Sequence, residues 1–319
     1  METAINVRNA RLDDTHTISL LFRQRIAVWQ RITTQGGVES PPYEALTLYE
    51  RWLHGGAWMS VETAAIFLNH LLRGAGMALV AVSGDEILGY AEAYIGQEPA
   101  PYQRHVHLAR LVLAEGVHDP QAVKDALVER LIGLAREQKC RQLTVAFSSY
   151  DEEALAYYRR FAMKRLNRVV RYTLHAQPGQ TFYKATPHQE TRYAAIEGWG
   201  MPVGRTESAR WHWETVWPDL YVLPEMQTQK THRLLMDAAG QKALVCCQQQ
   251  LYDVRSADIY CWSQQVLTPQ LLAAIRDWSH RQGYRTLVFA VPETTVKALG
   301  AEAENTPYQQ DIYGVEIEA

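Results

Sequence analysis

The sequence predicts an α/β protein in two domains, with strands and helices mixed through each half of the chain. Three observations carry that expectation. The chain has 319 residues, about two domains at roughly 150 residues each. Its apolar spacing switches repeatedly between the two-residue period of strands and the 3.6-residue period of helices. The order of elements over residues 4–174 also recurs, more faintly, over 181–319. The division expected is residues 1–176 and 181–319, with Ala176 to Gln180 as a linker.

The first half opens on a short alternating strand, Ile5 to Ala10, and Arg11 to Thr15 then supply helix-capping residues. An amphipathic helix is expected from His16 to about Gln30, and two more over Tyr43–His54 and Val61–Arg73. Between them Thr33 to Pro42, with Gly36-Gly37 and Pro41-Pro42, reads as a loop. Ala78–Val82, the turn Ser83-Gly84-Asp85 and Ile87–Tyr94 form a hairpin pattern, and His105–Leu113 is a further strand. Pro120 suits the first turn of a long helix reaching about Gln138. Gln142–Phe147 reads as a strand, Glu152–Phe161 as a short helix and Lys164–Leu174 as a last strand.

The second half is helical or irregular and rich in Trp over residues 188–217. It then repeats the hairpin (His232–Asp237 and Ala243–Gln250, turning near Gly240), the next strand (Ala257–Trp262), the long helix (Pro269–Gln282) and the strand after it (Thr286–Val291). The clearest internal match sets Ala135–Ala146 beside Ser279–Ala290. A duplicated domain follows.

Composition excludes several classes. A net charge of −3 and pI near 6.4 give no basic stripe for nucleic acid. No apolar run approaches the ~20 residues that span a bilayer, and the N-terminus lacks a signal-peptide pattern, so no membrane association and a cytoplasmic location are expected. Cys140, Cys246, Cys247 and Cys261 show no metal-ligand spacing. Cys246 and Cys247, adjacent on a strand, should face opposite sides.

Glu152–Met163 is the most specific stretch. It resembles the late helix N-x-x-A-x-x-x-Y-x-x-x-G-F of the GNAT superfamily of N-acetyltransferases, with Ala154 and Tyr158 matching. Asp151 stands where Asn is usual, and Ala162-Met163 replace Gly-Phe. Val7-Arg8-x-Ala10-x-x-x-Asp14 is similar to the family's first strand and helix cap. The resemblance covers residues 4–174, and topology alone extends it over 181–319. It implies a mixed, mostly antiparallel sheet flanked by helices, acetyl-CoA as co-substrate and a small-molecule or peptide amine as acceptor. Family members often dimerise, so a homodimer is possible in kind.

In the family a strand ends in a turn of amides, Q/R-x-x-G-x-G/A, whose N–H groups and helix dipole hold the CoA pyrophosphate. The matching stretch runs from Leu111 to Leu127. Here Asp119 stands at the Q/R position, Ala122 at the first Gly and Lys124 at the second, and Pro120 lacks a donor. The resemblance implies cofactor contacts from Leu111, Val112, Leu113, His118, Gln121, Ala122, Val123, Lys124, Asp151 and Ala154, with His118 or Lys124 as compensating cations. The corresponding stretch of the second half, Ser263–Pro269, is shorter and has no glycine.

Acyl transfer to an amine needs a base for the ammonium and an acid for the leaving thiolate. The resemblance puts Tyr158 in the acid's place. For the base, His105 and His107 share one strand face near where the family often places Glu, and Glu92 on the preceding strand is a rival. No third ligand joins His105 and His107, so no metal site is expected. Trp211, Trp213 and Trp217 read either as an aromatic wall for a substrate or as packing, chiefly between domains. Two functions stand open: an acyl-CoA-dependent N-acyltransferase, and a non-catalytic binding or scaffolding protein that keeps the fold.

Overall fold

The computed structural model describes residues 4–33, 36–179, 181–221, 223–226 and 229–318. The chain opens with β1 (Asn6–Asn9) and α1 (Thr15–Arg23). Their junction is tied by Asp14, whose carboxylate accepts from the Arg8 guanidinium at 2.7 and 2.9 Å and from the Arg11 N–H at 2.7 Å. These bonds, Arg8's first, hold the Asp14 carboxyl below its usual range. The expected helix to Gln30 stops seven residues early. Beyond Arg23 the chain peels away so that Trp29 packs edge-on against Tyr43, and the Gln30 N–H donates to His54 Nε2 at 2.9 Å.

A short hairpin follows, β2 (Arg31–Ile32) and β3 (Val38–Glu39). The expected helix 43–54 is broken: Tyr43–Ala45 is a 3-10 turn, Leu46 is extended and buried, and α2 (Leu48–Trp52) restarts behind it. Thr47 forces the restart, because its hydroxyl caps the Glu50 N–H while the Glu50 carboxylate takes the Thr47 N–H, a reciprocal pair that fixes a helix start. Then come α3 (Val61–His70), β4 (Met77–Ser83), β5 (Glu86–Gln97), β6 (Arg104–Leu113), α4 (Pro120–Glu137), β7 (Gln142–Ser148), α5 (Glu152–Arg159) and β8 (Lys164–His175), each within a few residues of its expected place.

The second half contains β9 (Tyr183–Pro187), β10 (Gly200–Val203), α6 (Ala209–Val216), β11 (Thr231–Ala238), β12 (Gln241–Gln249), β13 (Ser256–Ser263), α7 (Pro269–Arg281), β14 (Thr286–Pro292), α8 (Val296–Leu299) and β15 (Glu304–Glu316). β9, β10, α8 and β15 are not among the predicted elements. Pro307 and Gly314 disguise β15, since both weaken a strand reading; the ladder with β8 shifts register between Asn305 and Gln309 and so steps over Pro307. Of the expected linker, Ala176 to Gly179 is irregular, and Gln180 lies outside the described residues.

Two compact units emerge, and both draw on each half of the element repeat. The first holds residues 1–94, 108–134 and 219–228, the second 95–107, 135–218 and 229–319. β5 and β6 pass from one unit into the other. In the first unit the strands run β1-β4-β5-β6, and in the second β6-β7-β15-β8-β14-β13-β12-β11-β9 with β10 on β13. β13 and β14 run parallel, while β1–β4, β4–β5, β7–β15, β15–β8, β8–β14, β12–β13, β11–β12 and β9–β11 pair antiparallel, the mixed, largely antiparallel sheet that was expected. The last strand of the chain thus lies between β7 and β8, and β8 pairs β14.

In the second unit two cores lie on opposite faces of the β11–β13 strands. Cys247 joins one with Leu271, Ile275 and Phe289, and Cys246 joins the other with Trp213, Trp217 and Trp262, as their adjacency requires. Trp213 and Trp217 stack at 4.5 Å, and each meets Trp262 edge-on at 5.5 Å. Their indole N–H groups donate to the carbonyls of Thr191 and Glu190. These tryptophans therefore pack the sheet of their own half and form no substrate wall.

Candidate functional site

Gly204 begins the chemistry of the second unit. It follows β10 at φ +83°, and an added Cβ would stand 2.6 Å from the Ile259 carbonyl oxygen, so only glycine turns the chain here. The turn leads into Arg205-Thr206-Glu207, and Ser208 then caps α6 through the Trp211 N–H. His212, one turn along α6, accepts the Thr206 N–H at 2.9 Å and the Glu207 N–H at 3.2 Å. The loop is thereby held on both sides.

Glu207 meets His107 on β6. His107 Nε2 lies 2.7 Å from Glu207 Oε2, and Nδ1 lies 3.0 Å from the Thr144 hydroxyl on β7. The Nε2–H tautomer satisfies both partners: it donates to the carboxylate and accepts from Thr144. Tyr158 on α5 feels the Glu207 charge; burial first, then Glu207 and Asp151, push its phenol well above the ordinary tyrosine value. Phe147 stacks on its ring at 5.6 Å. The structure thus gathers His107 and Tyr158, both named from sequence, around a carboxylate that sequence reading missed.

His105, on the same face of β6, belongs to a second group. Its Nε2 lies 3.5 Å from Glu98 Oε1. The Arg205 guanidinium pairs with Glu98 and lies 3.7 Å over the Tyr102 ring, and the first N–H of α6, at Ala209, donates to Glu98 at 3.1 Å. Burial would raise the Glu98 carboxyl, yet Arg205 and its other donors hold it below its usual value. Burial drives His105 down to about 4 despite Glu98. Burial therefore keeps the His105 imidazole neutral at neutral pH.

That depressed value sets a pH dependence. The unfolded imidazole takes a proton near pH 6.5 and the folded one near 4, so between these the unfolded state binds more protons. Stability should be full above pH 6.5 and fall by about 3 kcal/mol as pH drops to 4. His105→Asn should flatten that segment of a urea midpoint–pH curve, and an unchanged slope would rule the assignment out.

Glu92 belongs to the first unit. It is buried on β5, accepting from the Trp58 indole N–H at 3.0 Å and the Tyr94 hydroxyl at 2.8 Å, with Phe22 and Tyr90 packed on Trp58. Its carboxylate also raises the phenols of Tyr94 and Tyr221, after burial itself. Leu111 and Leu113 are half-buried and Val112 is buried; Leu113 and Val123 fill the space over Gly89.

The turn into α4 carries its own anion. Asp119 Oδ1 accepts the Ala122 N–H at 3.0 Å, Pro120 has no N–H to offer, and the Gln121 side chain bonds Asp125 at 2.6 Å. Gly116 turns at φ +73° and His118 is exposed. As built, this turn does not fit a pyrophosphate: a carboxylate holds the amide that a phosphate would use. Asp151 does the same for α5, its carboxylate taking the Ala154 N–H at 2.9 Å.

Residues 42–163 match the sequence model of the Acetyltransferase (GNAT) family. Over that stretch the chain is similar to GNAT-family acetyltransferases. Its fold along nearly the whole length is that of solved GNAT proteins. A GCN5-related N-acetyltransferase from Anabaena variabilis superposes with a TM-score of 0.62 at 10% identity, covering 99% of this chain and 73% of that one. One from Kribbella flavida gives 0.59 at 12% identity, covering 98% and 72%. A search of curated proteins finds no match. Among the described residues no helix is long and apolar enough to cross a membrane.

Proposed function

We propose that this GNAT-fold chain is an N-acyltransferase that moves an acyl group from a thioester to an amine, acetyl-CoA being the donor the family implies. The observation that supports it is the buried set His107, Glu207 and Tyr158 within one compact unit. Glu207, oriented by the imidazole N–H, takes the proton of the attacking amine. A C–N bond forms as the C–S bond breaks, and the Tyr158 phenol, kept protonated by its surroundings, gives its proton to the leaving thiolate. The acceptor is a small-molecule or peptide amine.

A second reading, a non-catalytic GNAT-fold binding protein, is favoured by the Asp119 carboxylate on the Ala122 amide. One experiment separates the two. Acyl transfer from acetyl-CoA and from acetyl-pantetheine, which has no pyrophosphate, is followed by thiol release over a panel of amines, beside a thermal scan with desulfo-CoA. Asp119→Asn keeps the cap and removes the charge, and should strengthen CoA binding by a few-fold, since a charge at a helix start is worth about 0.3–1 kcal/mol. Turnover with either donor supports the enzyme. No turnover with both donors, together with no thermal shift in either protein, leaves the binding protein.

A further inference from the structure

A cleft of about 720 Å³ opens at the start of β7, within the second unit. That volume lies in the range of small-ligand sites. Strand register builds its floor. Lys164 on β8 stands opposite Gly314 on β15, and Glu316, two residues on, stands opposite Gln142 on β7. Directly opposed residues share a face, as do residues two apart. Lys164, Glu316 and Gln142 therefore all project from one side, with Gly314 between them.

The polar groups there are unevenly satisfied. Gln142 is buried, and its amide N–H₂ donates to the carbonyls of Pro101 and Tyr102. Among the described residues no hydrogen bond reaches its Oε1, which an added Cβ at Gly314 would approach to 3.0 Å. The Leu166 side chain lies over Gly314 beside that oxygen, its Cδ1 2.6 Å from the same point. Neither the Lys164 ammonium nor the Glu316 carboxylate has a hydrogen-bond or ion-pair partner among the described residues. Arg141, also on the lining, donates one N–H to Gln103 at 2.8 Å, and a guanidinium has five.

We infer that this cleft binds a free α-amino acid with an aliphatic side chain. Arg141 and Lys164 supply two cations for the carboxylate. Gln142 Oε1 and the Glu316 carboxylate, adjacent across the ladder, accept from the ammonium. Leu166, Pro101 and Ala162 add apolar surface for the side chain. A simple anion would leave both acceptors unused, and a simple amine would leave both cations unused. The inference is independent of acyl transfer.

Calorimetric titration with L-leucine tests it, beside leucinamide, which lacks the carboxylate, and 4-methylpentanoate, which lacks the ammonium. Leucine should bind, and each control should bind at least about tenfold more weakly, the loss expected for a charge-assisted bond or two. The double variant Arg141→Ala/Lys164→Ala changes two exposed side chains and should keep the parent's urea midpoint while losing leucine binding about tenfold or more. No heat with leucine up to about 10 mM, equal binding of 4-methylpentanoate, or unchanged affinity in the double variant would each overturn it.

Discussion

Arg205→Met should lower the unfolding free energy by about 3–5 kcal/mol, the cost of stripping one partner from a buried ion pair. The size follows from what remains. Glu98 and Arg205 are each almost wholly enclosed. Without the guanidinium, Glu98 keeps only the Ala209 N–H and a neutral His105, so its carboxyl must be protonated or stay charged in a poor medium. Glu98→Gln should cost a similar amount by stranding Arg205 over Tyr102. The double variant should lose clearly less than the sum, because each single loss already includes the other group's stranding. Urea denaturation of the four proteins, followed by circular dichroism, measures the cycle. Singles within about 1 kcal/mol of the parent, in the range of an exposed ion pair, would mean that water reaches this pair.

Such charges explain which parts of the chain could be read from sequence. The hairpins, the long helices and the strand of His105 and His107 advertise themselves by period, and packing then reinforces what the period states. Tyr158 was picked out through a helix pattern, and its phenol feels the charge of Glu207. Glu207 and Arg205 have no period at all. They sit in a loop, five residues with Gly204 at one end and Ser208 at the other, and their partners are about 100 residues away, Glu98 just past the end of β5 and His107 on β6. The signal available was modest: two opposite charges between a glycine and a helix cap, just before a tryptophan-rich helix that has to be buried. β15 was illegible for another reason, since Pro307 breaks the strand pattern and a register shift absorbs it. The self-capping of α4 was half legible. Asp119-Pro120 announces a helix start, but sequence does not say that the carboxylate turns onto Ala122 and occupies that amide.

Glu207→Gln should reduce acyl transfer by about 10²–10⁴-fold in kcat, the usual share of a positioned base, and Tyr158→Phe should reduce it by a similar factor. The two differ in their other readouts. Gln at 207 still accepts from His107 Nε2 and nearly keeps the shape, so amine KM should change little and the urea midpoint should hold. Phe at 158 keeps the stack on Phe147 and removes only the hydroxyl. Because that phenol titrates well above its ordinary value, it remains a proton donor through the neutral range, and raising pH to about 9 should not disable the parent enzyme through Tyr158. A donor with a more acidic leaving thiol, such as a thiophenyl thioester, needs less help from an acid. It should recover much of the Tyr158→Phe loss and none of the Glu207→Gln loss. Equal recovery in both variants would place Tyr158 and Glu207 in packing only, and the acyl-transfer centre would have to be sought at Glu92 in the first unit.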